Sequence, residues 1–98
     1  MIPDTVRGMY RLYKVVPYSR DDEYGHYSSD RGVVGYEESQ DPCMRANTLI
    51  HELLHVIVDE MGLKLKDEET VVNAMANGLS CFMRQNHQLW DQIFEDLK

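Results

Sequence analysis

Three residues within one apolar stretch have types and spacing suited to chemistry: His51, Glu52 and His55, in Asn47-Thr-Leu-Ile-His-Glu-Leu-Leu-His-Val-Ile-Val-Asp-Glu-Met-Gly62. On an α-helix, imidazoles four residues apart lie one turn from each other on the same face, so a ring nitrogen of each can reach a single metal ion. Glu52 falls about 100° round the helix from His51, beside that ion. This is the place for a general base that takes a proton from water polarised by the metal. Without an ion, an apolar helix would bury two imidazoles and a carboxylate together, and an uncompensated buried charge is strongly destabilising. A bound cation removes that difficulty.

Neutral imidazole suits zinc, and a catalytic zinc site takes three protein ligands and leaves a fourth position open to water. The third ligand must come from elsewhere, and the candidates are His26, His87, Glu68 and Glu69. Glu69 lies three residues before Val72 and seven before Ala76, on the inward stripe of a later helix. Glu68 lies four before Val72 and seven before Met75, so periodicity favours Glu69 by a small margin only. Both acids would also complement the positive end of the helix dipole, as first-turn acids commonly do. The expected set is therefore His51, His55 and Glu69 around Zn²⁺, with Glu52 as the base. His26 and His87 read as ordinary polar residues. Either could stabilise an oxyanion, as could Tyr24, Tyr27 or Tyr36, and spacing selects none of them.

The elements that must position these residues are bounded by local signals. Asp41 can cap the first helix, Pro42 fits its first position, and Gly62 supplies a left-handed end. Leu49, Ile50, Leu53, Leu54, Val56, Ile57 and Val58 surround most of that helix, which predicts a central helix packed by a sheet on one side and by other helices elsewhere. Asp67 caps a second helix, with Val72, Met75, Ala76, Leu79, Phe82 and Met83 as its buried stripe. A short third helix from about His87 gathers Leu89, Trp90, Ile93, Phe94 and Leu97 on one side.

Ahead of the helices, Met9–Val16 has strand composition and ends at Pro17. Tyr18–Glu23, with its acidic run Asp21-Asp22-Glu23, reads as a solvated loop. Tyr24–Ser29 and Val33–Glu38 are β-prone runs around Ser29-Asp30-Arg31-Gly32, a hairpin turn by residue type. The expected fold is α+β: a small three-stranded, mainly antiparallel sheet, then the central helix, a second helix and a short C-terminal helix, as one domain over residues 1–98. Val33–Glu38 is the expected edge along which an extended substrate could pair.

A formal net charge of −7 disfavours an extended phosphate-binding surface, so nucleic acid is not an expected partner. Cys43 and Cys81 are too few and too unpatterned for a secreted disulfide scaffold. The N-terminus lacks the apolar run of a signal peptide, and no apolar segment approaches membrane-spanning length. These features predict a cytoplasmic protein with no membrane association.

Thr48-Leu-Ile-His51-Glu52-Leu-Leu-His55-Val-Ile57 resembles the extended signature of the zincin metallopeptidases. Glu69-Thr-Val-Val-Asn73 and the following Ala74-Met-Ala-Asn77 are similar to the second-helix glutamate segment of gluzincins, especially the ImmA/IrrE-like peptidases and the minigluzincins carried by phage and bacterial genomes. The likeness spans about Gly32 to Gln85, and the interval from His55 to Glu69 is shorter than in typical ImmA/IrrE enzymes. It implies a sheet above an active-site helix, zinc held by His51, His55 and a glutamate, and a water activated by Glu52 to hydrolyse a peptide or protein substrate. Besides a regulated peptidase whose site is closed until a partner or truncation releases it, two other classes fit the same residues. One is a non-catalytic adaptor whose zinc fastens the first two helices together. The other is a protease of the SprT-like group acting on DNA-bound proteins, which the acidic balance and the lack of a cysteine-rich zinc ribbon count against.

Overall fold

The computed structural model describes residues 1–18 and 25–98. Four strands, β1 (Thr5–Arg7), β2 (Leu12–Tyr18), β3 (Gly25–Ser28) and β4 (Val33–Glu37), precede three helices, α1 (Pro42–Glu60), α2 (Glu68–Gln85) and α3 (His87–Leu97). The architecture is α+β, and the helices follow the expected order. The polar stretch 19–24, including its acidic run and Tyr24, lies outside the described residues.

The sheet corrects the expectation of three mainly antiparallel strands. Its order is β1-β2-β4-β3, with β1 antiparallel to β2, β2 parallel to β4, and β3 antiparallel to β4. A three-residue strand is too short to show alternation, so β1 left no readable pattern. The expected start of β2 is instead the turn from β1, closed by the Gly8 amide donating to the Arg11 carbonyl at 2.8 Å. Nor does Pro17 end the strand: it pairs in register with Tyr36 of β4. β1 pairs only with Leu12, Tyr13 and Lys14, so Pro17 lies where β2 has a single neighbour among the described residues, and a missing N–H interrupts no ladder there. Because β4 sits between β2 and β3, Val33–Glu38 is not an edge; among the described residues β3 is. The hairpin from β3 to β4 turns at Gly32, whose φ of +63° favours glycine.

Asp41 caps α1 by accepting from the Met44 amide at 2.9 Å, and Pro42 opens the helix, as residue types at these positions imply. One side of α1 lies against β3 and β4, and another against α2. Tyr13, Val34 and Val56 form the buried cluster beneath it, joined by Val6, Tyr27 and Leu49. Two tyrosines from the sheet tie down the C-terminal end of α1: the Tyr13 hydroxyl donates to Glu60 at 2.8 Å, and that of Tyr27 to Asp59 at 2.7 Å. Burial first, and then the neighbouring carboxylates, hold both phenols above their usual range. Helix α1 is thereby tied to the sheet at two points, one on β2 and one on β3.

Helix α1 is less enclosed than its apolar composition implies. Ile57 is half exposed, because α3 packs against α2 and makes no comparable contact with α1 among the described residues. On α2 the buried residues are Val72 and Ala76, while Met75 and Phe82, expected in the same stripe, face outward. Leu89, Phe94 and Leu97 of α3 are likewise exposed.

Candidate metal centre

Asp67 caps α2 by accepting from the Thr70 amide and hydroxyl, at 3.3 and 2.8 Å, so Glu68 and Glu69 are the first residues of the helix. That first turn stands beside the middle of α1. Glu69 Oε1 is 2.7 Å from His51 Nε2, Glu69 Oε2 is 3.0 Å from His55 Nε2, and the two Nε2 atoms are 3.2 Å apart. Bonds of about 2.0–2.1 Å at tetrahedral angles would separate ligand atoms by roughly 3.3 Å, close to the spacing found here. The donor set, two imidazoles and a carboxylate, is one that zinc and related cations accept. His51, His55 and Glu69 could therefore hold one metal ion.

Glu68 does something different. Its Oε2 lies 2.6 Å from His55 Nδ1, on the side of the ring away from His51 and Glu69. An ionised carboxylate can only accept, so Nδ1–H is the donor, and the lone pair of neutral His55 is then on Nε2, facing the other two ligand atoms. A carboxylate behind a ligating histidine fixes its tautomer and ring orientation and raises its basicity. For His55, burial pulls the pKa down, but the bond to Glu68 and the charges of Glu69 and Glu52 outweigh it, and the net shift is upward. Glu68 and Glu69, which periodicity barely separates, thus lie against different atoms of the two histidines.

Glu52 points from α1 to the same region and is only 7% exposed. What makes room for it is Gly25, at the start of β3: a Cβ there would come within 2.5 Å of Glu52 Oε2 and 2.6 Å of Thr48 Cγ2. No sequence pattern singled out Gly25, although a glycine opening a short strand is itself a signal for close backbone approach. The cleft in front of the ligand atoms is bounded by Gly25, His26 and Tyr27 of β3 on one side and by Glu68 and Glu69 on the other. His26 is exposed on this rim and joins no ligand group among the described residues. His87 pairs with Asp91 on α3. Tyr27 is committed to Asp59 and Tyr36 is buried. Of the oxyanion candidates in the described residues, His26 is thus the one on the cleft rim with an uncommitted polar edge.

A second cavity, of about 550 Å³, runs from His51, Glu52 and Glu69 along the seam between α1 and α2, past Thr48, Asn47, Asn73 and Asn77. Among the described residues, no helix is long and apolar enough to cross a membrane. Compared with protein-family models, curated proteins and solved structures, the chain matches none.

Proposed function

We propose that this protein is a zinc-dependent peptidase of the gluzincin kind, acting in the cytoplasm on peptide or protein substrates. The observation that carries the reading is the convergence of His51, His55 and Glu69 within hydrogen-bonding distance of one another, next to a buried Glu52 and in front of an open sheet edge. The likeness of Thr48–Ile57 to the zincin signature supports it. A zinc ion held there supplies Lewis acidity, lowering the pKa of water towards ~7 and polarising a carbonyl.

The chain's own residues account for the remaining steps. β3 has one strand neighbour among the described residues and offers its other side to an extended peptide, whose scissile carbonyl is thereby laid across the cleft. Glu52 takes a proton from the water whose oxygen adds to the carbonyl carbon. It returns that proton to the departing nitrogen as the C–N bond breaks. Glu68 keeps His55 Nε2 aimed inward throughout.

A second reading has its own support. The ligand atoms come from α1 and α2, and few side chains are fully buried in this small chain, so an ion could act chiefly as a clip between helices. Cleavage of an unstructured protein separates the two. The peptidase reading expects hydrolysis that a chelator stops and zinc restores. Stoichiometric zinc with no hydrolysis of any unstructured substrate leaves the clip.

A further inference from the structure

The cavity between α1 and α2 has a composition unlike that of the metal cleft. Glu69, Asn73 and Asn77 follow one another at four-residue spacing along α2, and Thr48 and Asn47 face them from α1, one turn before His51 and Glu52. Gln40, just ahead of α1, also lines it. Four of the lining residues are carboxamides, Cys43 and Met44 stand beside them, and among the described residues no Lys or Arg lines the cavity.

The hydrogen bonds within this group leave capacity unspent. Asn47 Nδ2 donates to Asn77 Oδ1 at 3.0 Å and to Ser80 Oγ at 3.2 Å, and Gln40 Nε2 donates to Thr48 Oγ1 at 2.9 Å. Among the described residues, Gln40 Oε1 is buried with no hydrogen-bond partner, and the Asn73 side chain makes no hydrogen bond. Nδ2 of Asn77 and Oδ1 of Asn47 are also uncommitted there. Native structures rarely leave such a buried acceptor unmet, and a ligand is one way to meet it. At about 550 Å³ the cavity is within the range of small-ligand sites, with room for a side chain and its adjoining main chain.

We propose that this cavity is the substrate's side-chain subsite, and that it selects an uncharged carboxamide residue, Gln or Asn, next to the scissile bond. The proposal rests on the peptidase reading. A carboxamide offers two donors and an acceptor to a wall that has both kinds free. In the zinc-loaded site the ion offsets Glu52 and Glu69, so discrimination against an acidic side chain rests on the wall, where among the described residues no Lys or Arg stands to pair with a carboxylate. An apolar side chain there would leave the buried Gln40 Oε1 unpaired, the kind of mismatch that discriminates strongly.

The test uses the zinc-loaded full chain and a set of peptides that differ at one residue beside the cleaved bond: Gln, Glu, Lys or Leu. Cleavage by wild type and binding to the Glu52→Gln variant are measured separately. The subsite predicts that Gln exceeds each of the others by about tenfold or more in kcat/KM and in affinity. It also predicts that Asn73→Leu, at an exposed position without hydrogen bonds among the described residues, lowers kcat/KM for the Gln peptide and erases the preference for Gln over Leu. Asn77→Leu provides a second, independent reading. Equal handling of the four peptides, or a Gln preference that survives both variants, overturns the subsite while leaving the peptidase intact. Binding with Gln preference but no cleavage keeps the subsite and overturns the peptidase. Neither binding nor cleavage overturns both.

Discussion

Glu68 and Glu69 are neighbours in sequence whose carboxylates meet different atoms: one backs His55 Nδ1, the other stands before Nε2 of both histidines. Glu69→Ala should therefore abolish zinc binding, whereas Glu68→Ala should weaken it by roughly 10–100-fold and keep one site per chain. Zinc titrations of the two variants check this, and equal losses would contradict it. The pH dependence follows from His55, whose pKa in the folded metal-free protein lies above its ordinary 6.5. That group stabilises the metal-free fold fully below about pH 6.5, and its contribution is lost as pH rises through the raised value. Zinc must displace the same proton from Nε2, so affinity should fall as pH drops through that value. Glu68→Gln removes one cause of the upward shift and should move the falling limb to lower pH in competition titrations. At this scale the sequence was informative about α1, where His51, Glu52 and His55 share a helix and four-residue spacing alone sets their faces. It could not separate Glu68 from Glu69, because both lie in the first turn of α2 and the angle between α1 and α2 decides which carboxylate points where.

Among the elements, β3 determines how close the sheet comes to Glu52. Gly25 supplies that closeness, and Gly25→Ala puts a methyl where Glu52 Oε2 and Thr48 Cγ2 now sit. The expected outcome is a protein that folds and holds zinc but turns over about 10²-fold more slowly, since small displacements of a catalytic group have effects of that size. Undiminished turnover in that variant would show that Glu52 does not need its present position. Helices were legible because caps and breakers mark them: Asp41 with Pro42, Gly62, and Asp67 all stand where their side chains or dihedrals predict. The sheet was only partly legible. The β3–β4 hairpin is local and its turn is written in Gly32, but the parallel pairing of β2 with β4 joins segments separated by the whole of β3. Alternation in β2 says that it is a strand and nothing about which neighbour it takes. The buried stripe of α2 was drawn too wide for a related reason: α3 contacts α2 without covering Met75 or Phe82, and no periodicity reveals which apolar residues lack a neighbour.

As a whole the molecule is a thin sheet, a helix lying on it and a second helix leaning on the first, with the ligand atoms at the seam of all three. An ion there binds only when α1 and α2 are docked, so it should raise the stability of the entire chain. Free zinc at 100 times its dissociation constant would add about 2.7 kcal/mol. For a domain of this size that corresponds to a rise in Tm of roughly 10–20 °C, readable by melting with and without zinc. Both readings of the site share that rise, and what separates them is chemistry at Glu52. The most direct measurement is hydrolysis of an unstructured protein by zinc-loaded wild type and Glu52→Gln, with zinc content determined on the same samples. One zinc per chain in both, with the rate in the variant lower by about 10²–10⁴-fold, is the predicted result. Equal zinc with equal rates would contradict the assignment of Glu52 as the base.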